Sequence, residues 1–198
     1  MKISFRSALT FICLSFTLIH PTFSQTYLGL NAGAGITKGN GLTGLNGSVG
    51  AFVETPLAER VNLRAGVAYA YRDLAQHLGI DPEGDFWDLN LLYLPVTIKF
   101  RMLESKTYPF LNIGGAYGLL DSPRMASGHR EPISDIRRAE ADMILGMGYN
   151  FKLGQGIFFL EMQYRQSLNN IIGKQAGESL QPFTFDVLHF GIAFPLGD

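Results

Sequence analysis

The sequence predicts an all-β fold, an eight-stranded antiparallel up-and-down transmembrane β-barrel. Three observations carry that expectation. The chain opens on a short positively charged and apolar leader, the remainder holds eight segments of period-two alternation with no helical stripe, and the connections between those segments alternate short with long. The length of 198 residues suits one domain, and 12 % aromatic residues with only 17 % charged ones exclude a disordered chain.

Lys2 and Arg6 followed by the apolar run Ala8 to Ile19 read as a secretory signal peptide over residues 1–24, with residues 25–198 as the barrel domain. Thr22-Phe23-Ser24 places small residues three and one positions before a cut ahead of Gln25. Cys13, the single cysteine, lies within this leader, so the exported chain has no disulfide, cysteine-zinc site or thiol nucleophile. Losing Lys2 and Arg6 leaves 14 of the 16 basic residues against 17 acidic ones, which argues against nucleic acid as a partner.

The predicted strands run Thr26 to Thr37, Leu45 to Glu54, Val61 to Arg72, Phe86 to Met102, Tyr108 to Leu120, Ala139 to Leu153, Gly156 to Asn169 and Thr184 to Leu196. The first carries small residues at alternate positions, at Gly29, Gly33 and Gly35. The third sets Val61, Leu63, Ala65, Val67, Tyr69 and Tyr71 against Asn62, Arg64, Gly66, Ala68 and Arg72. In the fourth, Trp87, Leu89 and Leu91 are apolar at odd positions but Leu94, Val96, Ile98 and Phe100 at even ones, which predicts a bulge near Leu92 to Pro95. The fifth alternates through Gly114, Ala116 and Gly118. The sixth separates Ala141, Met143, Leu145, Met147, Tyr149, Phe151 and Leu153 from Glu140, Asp142, Gly146, Gly148, Asn150 and Lys152. The seventh opposes Phe158, Leu160, Met162, Tyr164 and Leu168 to Glu161, Gln163, Arg165, Ser167 and Asn169. The eighth has Gly191 and Ala193 on the small face and His189 toward the interior.

Thr55 to Arg60, Leu103 to Thr107 and Gly154-Gln155 are short connections, whereas those near 38–44, 73–85, 121–138 and 170–183 are longer. Tight turns therefore collect at one end of the barrel and long loops at the other, with both chain ends on the tight-turn side.

Alternation alone does not say which face meets which medium. The polar face here is rich in Gly and Ala with charges of both signs, a composition suited to a narrow interior rather than to a water-facing strand. Arg64, Lys99, Arg101, Glu140, Asp142, Glu161 and Arg165 are expected to form an ionic network that plugs the lumen, since an unpaired charge there costs several kcal/mol. Tyr69, Tyr71, Trp87, Tyr93, Tyr117, Tyr149, Phe151, Phe158, Tyr164 and Phe194 are candidates for interfacial girdles.

Leu91-Leu92-Tyr93-Leu94-Pro95-Val96-Thr97-Ile98-Lys99-Phe100 resembles a stretch typical of the Bacteroidetes outer-membrane β-barrel family that includes the PorT-like proteins. Pro109 to Gly118 and Glu161 to Arg165, running on to Leu168-Asn169-Asn170-Ile171, are similar to two further stretches of that family. Leu91 and Tyr93 depart from its usual Tyr and Glu, so no role of that Glu carries over. The resemblance implies an eight-stranded outer-membrane barrel with its long loops outside the cell, and for some members a part in type IX protein secretion.

Motifs for other chemistry are weak. Gly39-Asn40-Gly41-Leu42-Thr43-Gly44 matches a dinucleotide-binding glycine pattern but precedes a strand rather than a helix. Asp81-Pro82-Glu83-Gly84-Asp85 lacks the EF-hand spacing and reads as an acidic turn. His77 and His129 fall in loops without a positioned nucleophile.

The expected function is that of an outer-membrane barrel without catalytic activity or cofactor, monomeric, in contact with lipid and with secretion-machinery proteins. Its candidate partner loop, Ser122 to Arg138, carries Arg124, Arg130, Glu131, Asp135, Arg137 and Arg138. The alternatives are a small passive channel, a surface-binding barrel and a soluble periplasmic ligand-binding barrel.

Overall fold

A computed structural model describes residues 26–39, 42–75, 86–103, 107–126, 139–169 and 183–196. Each alternating segment forms a strand: β1 (Tyr27–Gly39), β2 (Leu42–Ala58), β3 (Val61–Ala75), β4 (Phe86–Arg101), β5 (Thr107–Ala126), β6 (Ala139–Leu153), β7 (Gly156–Ser167) and β8 (Phe183–Pro195). Every strand pairs antiparallel with its neighbours in the chain. β8 returns to β1, from Tyr27↔Pro195 to Lys38↔Phe183, and the sheet closes into a barrel. Closure removes the edges at which backbone N–H and C=O groups would be left unpaired in hydrocarbon.

The side chains are arranged inside out. Leu145, Met147, Leu160 and Met162 face outward at 40 %, 59 %, 39 % and 47 % exposure, while Glu161 and Arg165 are 3 % and 6 % exposed. The outward row of β4, Leu92, Leu94, Val96, Ile98 and Phe100, has no charge and spans about the nine to eleven residues that a tilted strand needs to cross hydrocarbon. Leu111 to Leu119 on β5 and Met143 to Phe151 on β6 continue that belt. A water-facing sheet would have the opposite arrangement.

Several details differ from the sequence reading. β4 has no bulge at Leu92 to Pro95. Its register with β3 is unbroken from Val61↔Phe100 to Ala75↔Phe86, and the ladder skips only Leu94-Pro95 opposite Gly66-Val67, where proline has no N–H to give. The apparent change of phase arises because Leu89, Leu91 and Tyr93 point inward and pack with Ala70, Ala116, Leu120 and Ile144 in an apolar cluster inside the lumen. Tyr93 is therefore an interior residue and no part of a girdle. The side chain of Trp87 lies outside the described residues.

The bulges fall elsewhere. Asp121 is the extra residue between Leu91↔Leu120 and Asn90↔Ser122, and β5 continues to Ala126. Val187 interrupts β8 between Gly35↔Asp186 and Ala34↔Leu188. The first connection is also shorter than expected, because Gly39 pairs with Leu42, and β2 runs through Pro56 to leave only Glu59-Arg60 as its turn. Cross-strand pairing here outweighs the weak strand preference of Gly and Pro.

Gly154 opens the β6–β7 turn at φ +60°, a conformation that favours glycine. β7 stops at Ser167, and the Asn169 amide then replaces a strand residue. Its Oδ1 accepts from the Ala141 N–H (2.7 Å) and its Nδ2 donates to the Ala139 carbonyl (2.9 Å). At the turn end Leu196 N–H donates to Thr26 O (2.7 Å), joining the two ends of the described chain.

The leader over residues 1–24, the acidic turn Asp81 to Asp85, His77 and His129 lie outside the described residues.

Placing a charge on the lipid face should be costly. Met147→Arg should lower the stability of the vesicle-folded protein by about 2–4 kcal/mol, and Leu153→Arg at the turn end by about 0–1 kcal/mol, read from urea midpoints of folding into lipid vesicles.

Candidate functional site

The barrel interior holds the charged residues of the chain's polar face, in two layers. Near the turn end, Glu54 of β2 accepts from Asn62 Nδ2 (2.6 Å), from Arg64 Nε (3.0 Å) and from Lys99 Nζ (3.0 and 3.1 Å). Lys99 also donates to Asn150 Oδ1 at 3.1 Å. Arg64 Nη1 reaches Glu161 Oε2 at 3.4 Å, and Asn112 Nδ2 donates to Glu161 Oε1 at 3.0 Å. Phe52, Phe110 and Phe159 pack edge to face around these charges. The Arg64 guanidinium lies 4.7 and 4.4 Å from the Phe52 and Phe159 ring centres, and Lys99 Nζ lies 4.4 Å from that of Phe110. Cations that lose water on entering the lumen regain attraction from the ring faces.

Toward the loop end, Arg72 Nη1 donates to both Glu140 oxygens (2.8 and 3.0 Å) and Nη2 to Asp142 Oδ2 (3.2 Å). The Tyr93 hydroxyl donates to Glu140 Oε2 at 2.6 Å. Arg165 Nη2 bridges both oxygens of Asp186 (3.0 and 3.2 Å), which also accepts from Asn46. The Arg72 and Arg165 guanidinium groups lie 5.3 and 5.5 Å from the Tyr93 ring centre.

Arg64, Lys99, Glu140, Asp142, Glu161 and Arg165 are thus all buried within the lumen, divided between the two layers. Arg101 stands apart. It is half-buried at the turn end, donates to the Glu59 carbonyl, and has its guanidinium 5.8 Å from the Tyr108 ring centre. Its position, last in β4, carries it below the buried carboxylates to the rim.

Glu54, Arg72 and Asp186 are also central, beyond the seven residues that the sequence predicts for the plug. Arg72 was legible as the last residue on the polar face of its predicted strand. Asp186 was hidden by the bulge, although Thr184 and Asp186 at even positions followed by His189, Gly191 and Ala193 at odd ones mark the change of phase.

Glycine makes room for this filling. A Cβ at Gly146 would overlap the Glu161 carboxyl group, so the bare backbone of β6 is what allows that side chain to lie across the lumen.

His189 is buried with Nδ1 3.5 Å from Glu161 Oε2, and its Nε2 lies 2.9 Å from Asn31 Nδ2, an amide donor. Ser48 borders the same space. The imidazole is thus held between Asn31 of β1 and Glu161 of β7.

Of the candidate partner loop, Ser122 and Arg124 belong to β5, where Arg124 pairs through its backbone with Asp88. The side chain of Arg124, together with Arg130, Glu131, Asp135, Arg137 and Arg138, lies outside the described residues.

An apolar belt outside a charged, filled lumen is the construction of a small membrane-spanning barrel. The family model for the outer membrane protein beta-barrel domain matches residues 14–173. The chain belongs to that family. It is an integral barrel of the outer membrane. No curated protein sequence matches it.

Among solved structures, this outer-membrane barrel is similar to Neisserial surface protein A, with a TM-score of 0.53 and 11 % identity over 87 % of this chain and 98 % of that one. OprG from Pseudomonas aeruginosa gives a TM-score of 0.53 and 12 % identity over 87 % and 94 %. A major outer membrane protein from Thermus thermophilus gives 0.50 and 15 % over 86 % and 99 %. At such identities the likeness concerns the fold.

Breaking one ion pair leaves a charge buried. Arg165→Met, which leaves Asp186 with no cation partner among the described residues, should destabilise the barrel by about 3–5 kcal/mol, and adding Asp186→Asn should restore part of the loss, both read from urea-unfolding midpoints.

Proposed function

We propose that this is a non-catalytic, monomeric barrel that anchors a contact surface in the outer membrane and serves as a PorT-like component or accessory of envelope protein secretion. The observation that carries the reading is the filled interior. Ion pairs and rings leave a mid-lumen cavity of about 50 Å³, whereas small-molecule sites are typically about 300–1,000 Å³. Such an interior favours neither a substrate pocket nor an open pore.

Function then falls to the surfaces. Lipid takes the belt, and the loop end is left for a partner, with Arg124, Arg130, Glu131, Asp135, Arg137 and Arg138 as the contact residues. The likeness of Leu91 to Phe100 and of the Pro109 and Glu161 stretches to PorT-like proteins points to the secretion apparatus as that partner, and to a loop end outside the cell. Residues 1–24 act in this reading as the export signal removed on the way.

The test is affinity purification of the chain from detergent-solubilised envelope. Stoichiometric recovery of secretion-machinery proteins, lost on reversing the charges of Arg130, Arg137 and Arg138, is the expected result, and recovery of the barrel alone would overturn the secretion role. A passive channel predicts steps of conductance in planar bilayers; the purified barrel should show none.

A further inference from the structure

The cavity between the two charged layers is bordered by side chains from every strand. Arg64 and Phe52 lie on its turn side and Tyr93 and Arg165 on its loop side, with Asn31, Thr97, Asn112, Gln163 and His189 around its wall. Among the described residues no carboxylate lines it. Thr97 Oγ1, Asn112 Oδ1 and Arg165 Nε are buried without a hydrogen-bond partner among the described residues, and all three residues border this space. A volume of about 50 Å³ is several times the roughly 10–15 Å³ that one water requires. The donors and acceptors are of both kinds, which suits water better than an ion of either sign.

We infer that the barrel encloses a hydrated chamber holding a small cluster of waters at mid-height, shut by two independent electrostatic seals. The turn-side seal is Glu54 with Lys99 and Arg64, backed by the three phenylalanines. The loop-side seal is Arg72 with Glu140 and Asp142, backed by Tyr93 and the apolar cluster. Among the described residues the seals share no ion pair: Arg64 and Lys99 bond only within the first layer, Arg72 only within the second, and Arg165 bonds to Asp186. Removing one should therefore open the chamber to one side of the membrane and leave the other side closed.

Cys13 is the only cysteine of the sequence, so in a Cys13→Ser background Ser48→Cys on the chamber wall gives a single reporter thiol. The protein is folded into vesicles, its orientation is read from the labelling of a separate Asp121→Cys preparation, and a membrane-impermeant methanethiosulfonate is applied on either side. In the otherwise unaltered barrel, Ser48→Cys should react slowly from both sides. Arg72→Ala with Glu140→Ala should speed labelling from the loop side alone, and Glu54→Ala with Lys99→Ala from the turn side alone, each by at least about tenfold.

Only the fourfold variant should conduct in planar bilayers. Fast labelling without either pair of changes, opening to both sides by one pair, or a folded fourfold variant that stays silent would each overturn the two-seal arrangement. Should an alanine pair fail to fold, Arg72→Gln with Glu140→Gln and Glu54→Gln with Lys99→Gln discharge the layers while retaining polar side chains, with the same expected sidedness.

Hydration is read separately on the unaltered chain by X-ray hydroxyl-radical footprinting. Phe52 and Tyr93, which border the chamber, should oxidise faster than Phe110, which is equally buried but does not border it. Equal protection of the three rings would exclude the water cluster.

Discussion

A strand that crosses hydrocarbon has no solvent to which it can give its backbone hydrogen bonds, and the rest of this protein answers to that constraint. Eight strands satisfy it by pairing in sequence order and closing the last onto the first. Closure then obliges each strand to show one face to lipid and the other to a narrow lumen. The first face accepts only uncharged residues, and the second must be filled.

The filling is ionic as well as apolar, which carries a cost that close pairing offsets. Each buried carboxylate of the lumen lies beside a cation, and the aromatic rings of Phe52, Phe110, Phe159 and Tyr93 lie against the guanidinium and ammonium groups. Such pairs add little net stability compared with an apolar core, but losing one partner is expensive. They also act across the barrel. Arg72 of β3 holds Glu140 of β6, and Arg64 of β3 holds Glu161 of β7, so strands that never exchange a backbone bond are tied together.

Most of the architecture was legible in the sequence because lipid enforces alternation strictly: Ala139 to Leu153 appears as β6 with both ends as read. Trouble arose where one face changed character. Leu89, Leu91 and Tyr93 are apolar yet interior, and from periodicity alone an inward leucine at the loop end cannot be told from an outward one after a bulge. The bulges at Asp121 and Val187 leave no Gly or Pro of their own as a marker, whereas the one at Leu57 directly follows Pro56. Of the charged interior, the residues flanked by clear alternation were readable, while Glu54, last in its predicted strand although β2 continues to Ala58, and Asp186, next to a bulge, were obscured. Arg101 was misplaced because alternation reports a face and says nothing of depth.

β8 supplies the seam with β1 and carries Asp186 and His189 to partners on three other strands: Arg165 of β7 and Asn46 of β2 for the first, Asn31 of β1 for the second. Until β8 is seated against both β7 and β1, the sheet has two open margins and Arg165, Asn46 and Asn31 lack these partners. Seating it closes the wall and completes the filling in one event, and an assembly intermediate without β8 is an adhesive half-pipe rather than a smaller barrel.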